Sequence, residues 1–184
     1  MLSRDNALER VRSQNPEPNL VQHALASEAV MRALAAHFGE DAELWGITGL
    51  VHDVDFPLTR ETPARHGAAA QDLLPELPEE ARRAILAHNG EMTGAMPESR
   101  FDYALRCAET VTGLVSAAAL VRPEGMHGMQ AKSLKKKMKD KAFAASVNRD
   151  TIRECEKLPL PLDDFLTLAV EAMLPYEKEL GLAK

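Results

Sequence analysis

The sequence predicts an all-α protein: a single domain over residues 1–184, folded as an irregular orthogonal bundle of about eight or nine helices. Three observations carry this expectation. Apolar residues recur at the helical i, i+3/i+4 spacing in one segment after another. Prolines, glycines and small polar residues fall where helices should begin and end. No stretch alternates apolar and polar residues at period two over a useful length, and no hairpin signal appears between alternating strands.

Taken in order, Leu20, Ala24, Ser27, Met31, Leu34 and Phe38 form the apolar stripe of a long helix that Gly39 stops. EDAELWGITGLVHDV predicts the next helix, with acids in its first turn where the dipole favours them. Thr62 as N-cap and Pro63 at the first helical position open a helix over PARHGAAAQDLL. Pro78, Glu79 and Glu80 open EEARRAILAHN, Gly90 closes it, and GEMTGAMPES reads as a loop. FDYALRCAETVTGLVSAAALVR is a long helix ending at Pro123, and PEGMHGM is a loop with the makings of a lid. A lysine-rich helix follows, its buried stripe expected at Leu134, Met138, Ala142 and Ala145. NRDTIRECEKL and PLDDFLTLAVEAMLPYEKEL finish the chain. Short helices with short connections favour an irregular bundle over a regular four-helix one.

At 184 residues the chain suits one domain that buries roughly two-thirds of its unfolded surface. No window approaches the ~20 uninterrupted apolar residues of a membrane span. MLSRDNALERV carries acids among its bases and no apolar core, so no signal peptide is expected. Cys107 and Cys155 are too few for a disulfide framework and fit a reduced, cytoplasmic setting. The net charge of −6 argues against wholesale nucleic-acid binding, and 4% aromatic content offers no stacking platform. SLKKKMKDK is a local reversal of that charge. Its bland reading is a solvated helix face; its functional reading is a positive wall, with Lys135, Lys136 and Arg149 as the side chains expected to reach an anionic substrate.

Candidate chemistry lies in His23, the adjacent His52 and Asp53, His66, His88 and Glu109. Burying an imidazole beside a carboxylate is costly unless something satisfies both groups. A hydrogen bond does so, and so does a cation. A lone inward histidine such as His23 is more often a hydrogen-bonded core residue than a ligand. Glu109 sits on an otherwise apolar helix face as a candidate ligand, with a salt bridge to Arg106 or a lysine as the competing reading. If these side chains converge, imidazoles and carboxylates from several helices suit one or two ions of Zn, Mn, Fe, Co or Ni.

His23, then His52-Asp53, then an acid on a later helix resembles the motif of the HD-domain superfamily of metal-dependent phosphohydrolases. The likeness runs from about residue 20 to 120. The extension over about 131–184 is similar to a subgroup of predicted HD hydrolases with a KKK-rich helix followed by FA…VNR. The resemblance implies an HD-like helical fold, with His23, His52, Asp53 and the later acid as metal ligands. His66 and His88 resemble the extra histidines of HD subgroups that hold two metals, with Asp53 bridging them. One departure stands out: the family has aspartate where this chain offers Glu109, with Asp102 as the substitute candidate. Nucleotidase relatives carry a glutamate three residues after the Asp, where this chain has Phe56.

The function this implies is hydrolysis of a phosphomonoester or phosphodiester of a nucleotide or other small phosphorylated metabolite. His52, Asp53 and Asp55 are the expected catalytic residues, Asp55 orienting water or a ligating histidine. Two alternatives stay open: a non-catalytic helical module with a structural metal, and a di-iron oxygenase-like protein. A small phosphorylated substrate and a second copy of the chain are the partners considered; membrane and nucleic acid are not expected.

Overall fold

The computed structural model describes residues 2–184, and among these every regular element is helical. Eleven α-helices are present, several of a single turn: α1 (Arg4–Ser13), α2 (Pro18–Phe38), α3 (Ala42–Val51), α4 (Phe56–Thr59), α5 (Ala70–Leu73), α6 (Glu79–His88), α7 (Gly90–Thr93), α8 (Arg100–Leu120), α9 (Ala131–Lys139), α10 (Arg149–Arg153) and α11 (Leu162–Met173). Three short 3₁₀ turns lie at Pro63–Arg65, Glu154–Lys157 and Leu174–Tyr176. No described helix is long and apolar enough to cross a membrane.

The long helix α8 is the axis of the bundle, packing against α2, α3, α6, α9, α10 and α11. Its start is fixed by a reciprocal cap: the Ser99 hydroxyl accepts from Asp102 N at 3.1 Å, and the Asp102 carboxylate accepts from Ser99 N at 3.0 Å. Asp102, the substitute ligand candidate, is therefore spent on the helix start. The Leu34, Ile47, Leu50, Leu105, Leu114 and Phe165 side chains are fully buried between these helices.

Helices α2 and α3 form the tightest pair. The Asp41 side chain caps α3 by accepting from Glu43 N and Leu44 N at 2.9 and 3.0 Å. Gly49 lets the two backbones touch: a Cβ there would lie 2.8 Å from the Ser27 carbonyl oxygen of α2. That contact is what sets the end of α3, and with it His52, against the N-terminal half of α2, where His23 lies.

The structure departs from the expected elements in several places. Helix α1 was not signalled as an element; its half-buried Arg4 and the α2 residue Arg32 both bind the buried Glu28, at 2.7 and 2.9 Å. The helix expected from Thr62 breaks into a 3₁₀ turn and α5, because Gly67 takes a left-handed φ of 83° between them. GEMTGAMPES, read as a loop, begins with the helical turn α7. The lysine-rich helix stops at Lys139, so Leu134 and Met138 are buried but Ala142 and Ala145 are exposed. The loop after Pro123 is tied down, with Met126 fully buried and Arg122 donating to Gly125 O and His127 O.

Candidate metal centre

Two of the site histidines sit at helix ends with a local reason to be there. His52 follows the last residue of α3, and its Nδ1 lies 2.8 Å from Gly49 O. His88 is the last residue of α6, and its Nδ1 bonds Ile85 O. These carbonyls belong to last turns whose oxygens have no helical partner, so each histidine caps its own helix. A carbonyl only accepts, which places the proton of both rings on Nδ1.

The other two histidines are held from further away. His66 Nδ1 lies 2.9 Å from Asp55 Oδ1, and a carboxylate accepts, so this Nδ1 also carries the proton. His23, in the second turn of α2, has its Nδ1 3.0 Å from Thr112 Oγ1. The Thr112 hydroxyl donates its own hydrogen to Glu109 O at 2.6 Å, so it accepts from His23. Four different partners thus produce one result: every Nδ1–H points outward and every Nε2 points inward.

The four Nε2 atoms converge around Asp53. His23 and His52 bring theirs to 3.2 Å from each other, and His66 and His88 to 2.9 Å. Asp53 Oδ1 stands 3.3 Å from His52 Nε2, 3.2 Å from His66 Nε2 and 3.5 Å from His88 Nε2. Asp53 Oδ2 is 3.6 Å from His23 Nε2, and Glu109 Oε2 is 4.0 Å from the same nitrogen. Two groups result whose donor atoms lie within 4.8 Å of one another: His23, His52 and Glu109, and Asp53, His66 and His88.

Neutral imidazoles with Nδ1–H anchored present bare lone pairs to each other, which is unfavourable unless a cation or proton stands between them. Burial pushes the His52 pKa down to about 3, so this ring is neutral near pH 7. Burial alone would also lower that of His66, but hydrogen bonds and charge from Asp53 and Asp55 raise it to about 10. A proton on His66 is then the stand-in for a positive ion. Burial likewise favours neutral Asp53, yet the imidazoles around it hold its pKa well below the ordinary carboxylate range. Burial raises the pKa of Glu109. The donor set, four sp² nitrogens and two carboxylates in a mostly buried space, fits one or two divalent transition ions.

Asp55 is fully buried, and three groups take up its carboxylate: His66 Nδ1, Gly67 N at 2.8 Å and Ala70 N at 3.0 Å. Its reach is to the back of His66 rather than to the open side of the cluster. Glu109 does not pair with Arg106, whose guanidinium binds Glu91 at 2.6 Å and Glu154 at 2.7 Å. Lys135, Lys136 and Arg149 are not brought to the cluster. Lys135 pairs with Asp163 at 2.8 Å, Lys136 is exposed, and Arg149 donates to Asp140 O, Phe143 O, Ala144 O and Val147 O, bracing its own loop.

Sequence reasoning missed the supporting roles of three residues, Thr112, Arg106 and Asn89. Thr112 lies three positions beyond Glu109 on α8, a spacing that puts both on one helix face. Arg106 donates to Ala87 O at 2.9 Å and His88 O at 3.3 Å, pinning the end of α6 that carries His88. Asn89 Nδ2 reaches Pro63 O and His66 O at 3.0 and 3.1 Å, tying the two histidine-bearing segments together. Beside the cluster opens a cavity of about 360 Å³, bounded by His23, His88 and Glu109 and by the polar side chains of Glu91, Thr110, Asn148 and Thr151.

Comparison with curated proteins and with solved structures returns no match. The family model of the HD domain does match, over residues 20–144, a span that takes in all six side chains of the cluster. With that span and an all-helical architecture, the chain belongs to the HD-domain family.

Proposed function

We propose that the protein is a metal-dependent phosphohydrolase cleaving a phosphomonoester or phosphodiester of a nucleotide or other small phosphorylated metabolite. The observation that carries this reading is the convergence of four imidazole Nε2 atoms on Asp53, each with its Nδ1–H tied to an acceptor. His23, His52, Asp53 and Glu109 would hold one divalent ion, and Asp53, His66 and His88 a second. When bound, such ions supply Lewis acidity, lowering the pKa of water toward ~7 and offsetting phosphoryl charge. The chain's own part is positioning. Asp55 and Thr112 fix the tautomers of His66 and His23, Arg106 holds the end of α6, and the cavity beside Glu109 receives the substrate.

Metal analysis of the purified protein, with phosphatase and phosphodiesterase assays of the wild type and of His52→Ala and Asp53→Ala, tests the proposal. Zinc, manganese, cobalt or nickel with turnover lost in both variants supports it. Wild-type turnover in both variants refutes the hydrolase mechanism. A second reading, a di-iron oxygenase, is favoured by the histidine-rich second group of Asp53, His66 and His88. Two irons per chain with oxygen uptake and no ester turnover would establish it instead.

A further inference from the structure

We propose that the Arg106 guanidinium is a second anion subsite in the substrate cavity, that Glu91 is a carboxylate latch standing on it, and that the substrate carries a second anionic group that displaces the latch. This rests on the phosphohydrolase reading above and narrows its substrate class. The substrate becomes a phosphate ester with a further phosphoryl or carboxylate group a few bonds from the ester attacked.

Arg106 and the metal cluster share one cavity, the one of about 360 Å³ whose wall includes His23, His88 and Glu109. Arg106 and Glu109 stand three residues apart on α8, and so on one helix face. The Arg106 side chain is 3% exposed, and its guanidinium offers five N–H groups in a planar fork. Glu154 takes the edge formed by Nε and Nη2, at 2.7 and 2.9 Å. Nη1 also donates to Ala87 O and His88 O at 2.9 and 3.3 Å. These bonds tie α8 to α6 and to the Glu154–Lys157 turn, and they belong to the fold. Glu91 takes the remaining edge, bonding Nη2 at 2.6 Å and Nη1 at 3.1 Å.

The two carboxylates on this guanidinium are not equivalent. The Glu154 side chain is 22% exposed, whereas that of Glu91 is 59% exposed and belongs to the single-turn helix α7. One guanidinium offsets the charge of only one of them, and Glu109 adds a further carboxylate to the same wall. Glu91 is thus the partner that can leave for water, and its departure opens the Nη1 and Nη2 edge. A carboxylate and a phosphoryl group both match such an edge with two parallel N–H···O bonds.

The metal cluster and the fork have separate tasks. Asp53 and Glu109 offset only part of the charge of two divalent ions, so a loaded cluster draws the reacting phosphoryl group. Arg106 belongs to neither ligand group, and its fork is left for a second anion. A substrate with one anionic group leaves Glu91 in place. A substrate with two exchanges the carboxylate of the latch for its own group, so the charge around Arg106 changes little. Affinity for that second group is scaled by the fraction of time the latch is off the fork.

Titration calorimetry of the zinc-loaded protein, at fixed free zinc, tests this with propylphosphonate, 3-phosphonopropionate and propane-1,3-bisphosphonate. Each brings one phosphonate to the cluster and none can be hydrolysed. The affinity of a two-anion probe relative to propylphosphonate therefore cancels the contribution of the metal and reports the second subsite. That ratio is expected to rise by at least about fivefold from wild type to Glu91→Ala, because the competing carboxylate is gone. The probe with the larger rise identifies the second anion as phosphoryl or carboxylate. Glu98→Ala removes an acid that is 77% exposed and outside the cavity, and it should leave the ratio unchanged. Arg106→Lys in the Glu91→Ala background keeps the charge without the fork, and it should return the ratio to the wild-type value or below. If that double variant does not fold, the ¹⁵N resonances of the Arg106 guanidinium in Glu91→Ala decide instead. They should move with the two-anion probes and stay in place with propylphosphonate. A ratio unchanged by Glu91→Ala, a ratio still raised without the fork, or guanidinium resonances indifferent to the second anion overturns the inference. Turnover of p-nitrophenyl phosphate is scored separately: its absence removes the hydrolase reading, while the ratios still decide whether the fork binds an anion.

Discussion

Replacing Asp55 by asparagine exchanges one carboxylate oxygen for an amide NH₂ in a fully buried position, and the geometry decides which oxygen is lost. Asp55 Oδ2 accepts from two backbone groups, Gly67 N at 2.8 Å and Ala70 N at 3.0 Å, whereas Oδ1 accepts only from His66 Nδ1 at 2.9 Å. An asparagine that put its NH₂ toward the backbone would leave two buried N–H groups facing a donor, at about 1–3 kcal/mol each. The opposite orientation keeps both backbone bonds and turns the NH₂ toward His66. That is the lower-energy choice, and it has a chemical consequence. His66 must then accept at Nδ1 and hold its one remaining proton on Nε2, the atom that faces Asp53 and His88. Stability should fall modestly, by about 1–3 kcal/mol, in urea denaturation of the metal-free protein. Metal affinity at the Asp53, His66 and His88 group should fall by about 10–100-fold. The group of His23, His52 and Glu109 should change far less, because Asp55 does not touch it. Metal content after dialysis against graded free manganese or zinc, read by elemental analysis, separates the two. If Asp55→Asn keeps the full metal complement at wild-type affinity, the tautomer argument for His66 is wrong.

Glu109→Asp should keep metal and a measurable part of the activity, while Glu109→Ala should lose metal from the group of His23 and His52. Equal metal content in these two variants would remove Glu109 from the site. The thiols give an independent check on the packing of α8 against the Glu154–Lys157 turn. Burial raises the pKa of Cys107 and takes that of Cys155 up to about 12, so both should be protonated and shielded at pH 8. A chromogenic disulfide reagent should label neither in the folded protein and both in 6 M guanidinium, by roughly a 100-fold difference in rate; fast labelling of the native chain would contradict the buried placement.

The site was legible in the sequence to the extent that local rules fixed it. Gly39 and the stripe from Leu20 to Phe38 defined α2, and the caps at Ser99 and Asp41 fall where a polar residue precedes an apolar run. His23, His52, Asp53, His66, His88 and Glu109 could be picked out because polar residues on apolar faces need an explanation, and the structure brings all six together. What the sequence hid depends on distant contacts. Nothing within a helical turn of Arg106 reveals that it binds Glu91 and Glu154 and caps α6. Lys135 lies in a strongly basic stretch and Arg149 beyond its end, yet Asp163 and four backbone carbonyls claim them. Charge density along a chain says where cations are, but only packing says which remain free.

The four histidines divide by the same logic. His52 and His88 bond the carbonyl three residues back, which a helix end leaves available, so their orientation is built into any chain that places histidine there. His23 lies within α2, where the carbonyls of the preceding turn are engaged by the helix itself, and its ring is set instead by Thr112 across the bundle. His66 stands at the end of a broken segment and depends on Asp55 eleven residues earlier. Each of the two metal-binding groups therefore joins one histidine with a locally set ring to one that only the folded bundle can orient. A loosened chain that kept α3 and α6 would retain the first kind of ligand and lose the second. Strong chelation then requires the native packing of α2 on α8 and of Gly67 beneath Asp55, and metal binding should in turn hold those contacts together.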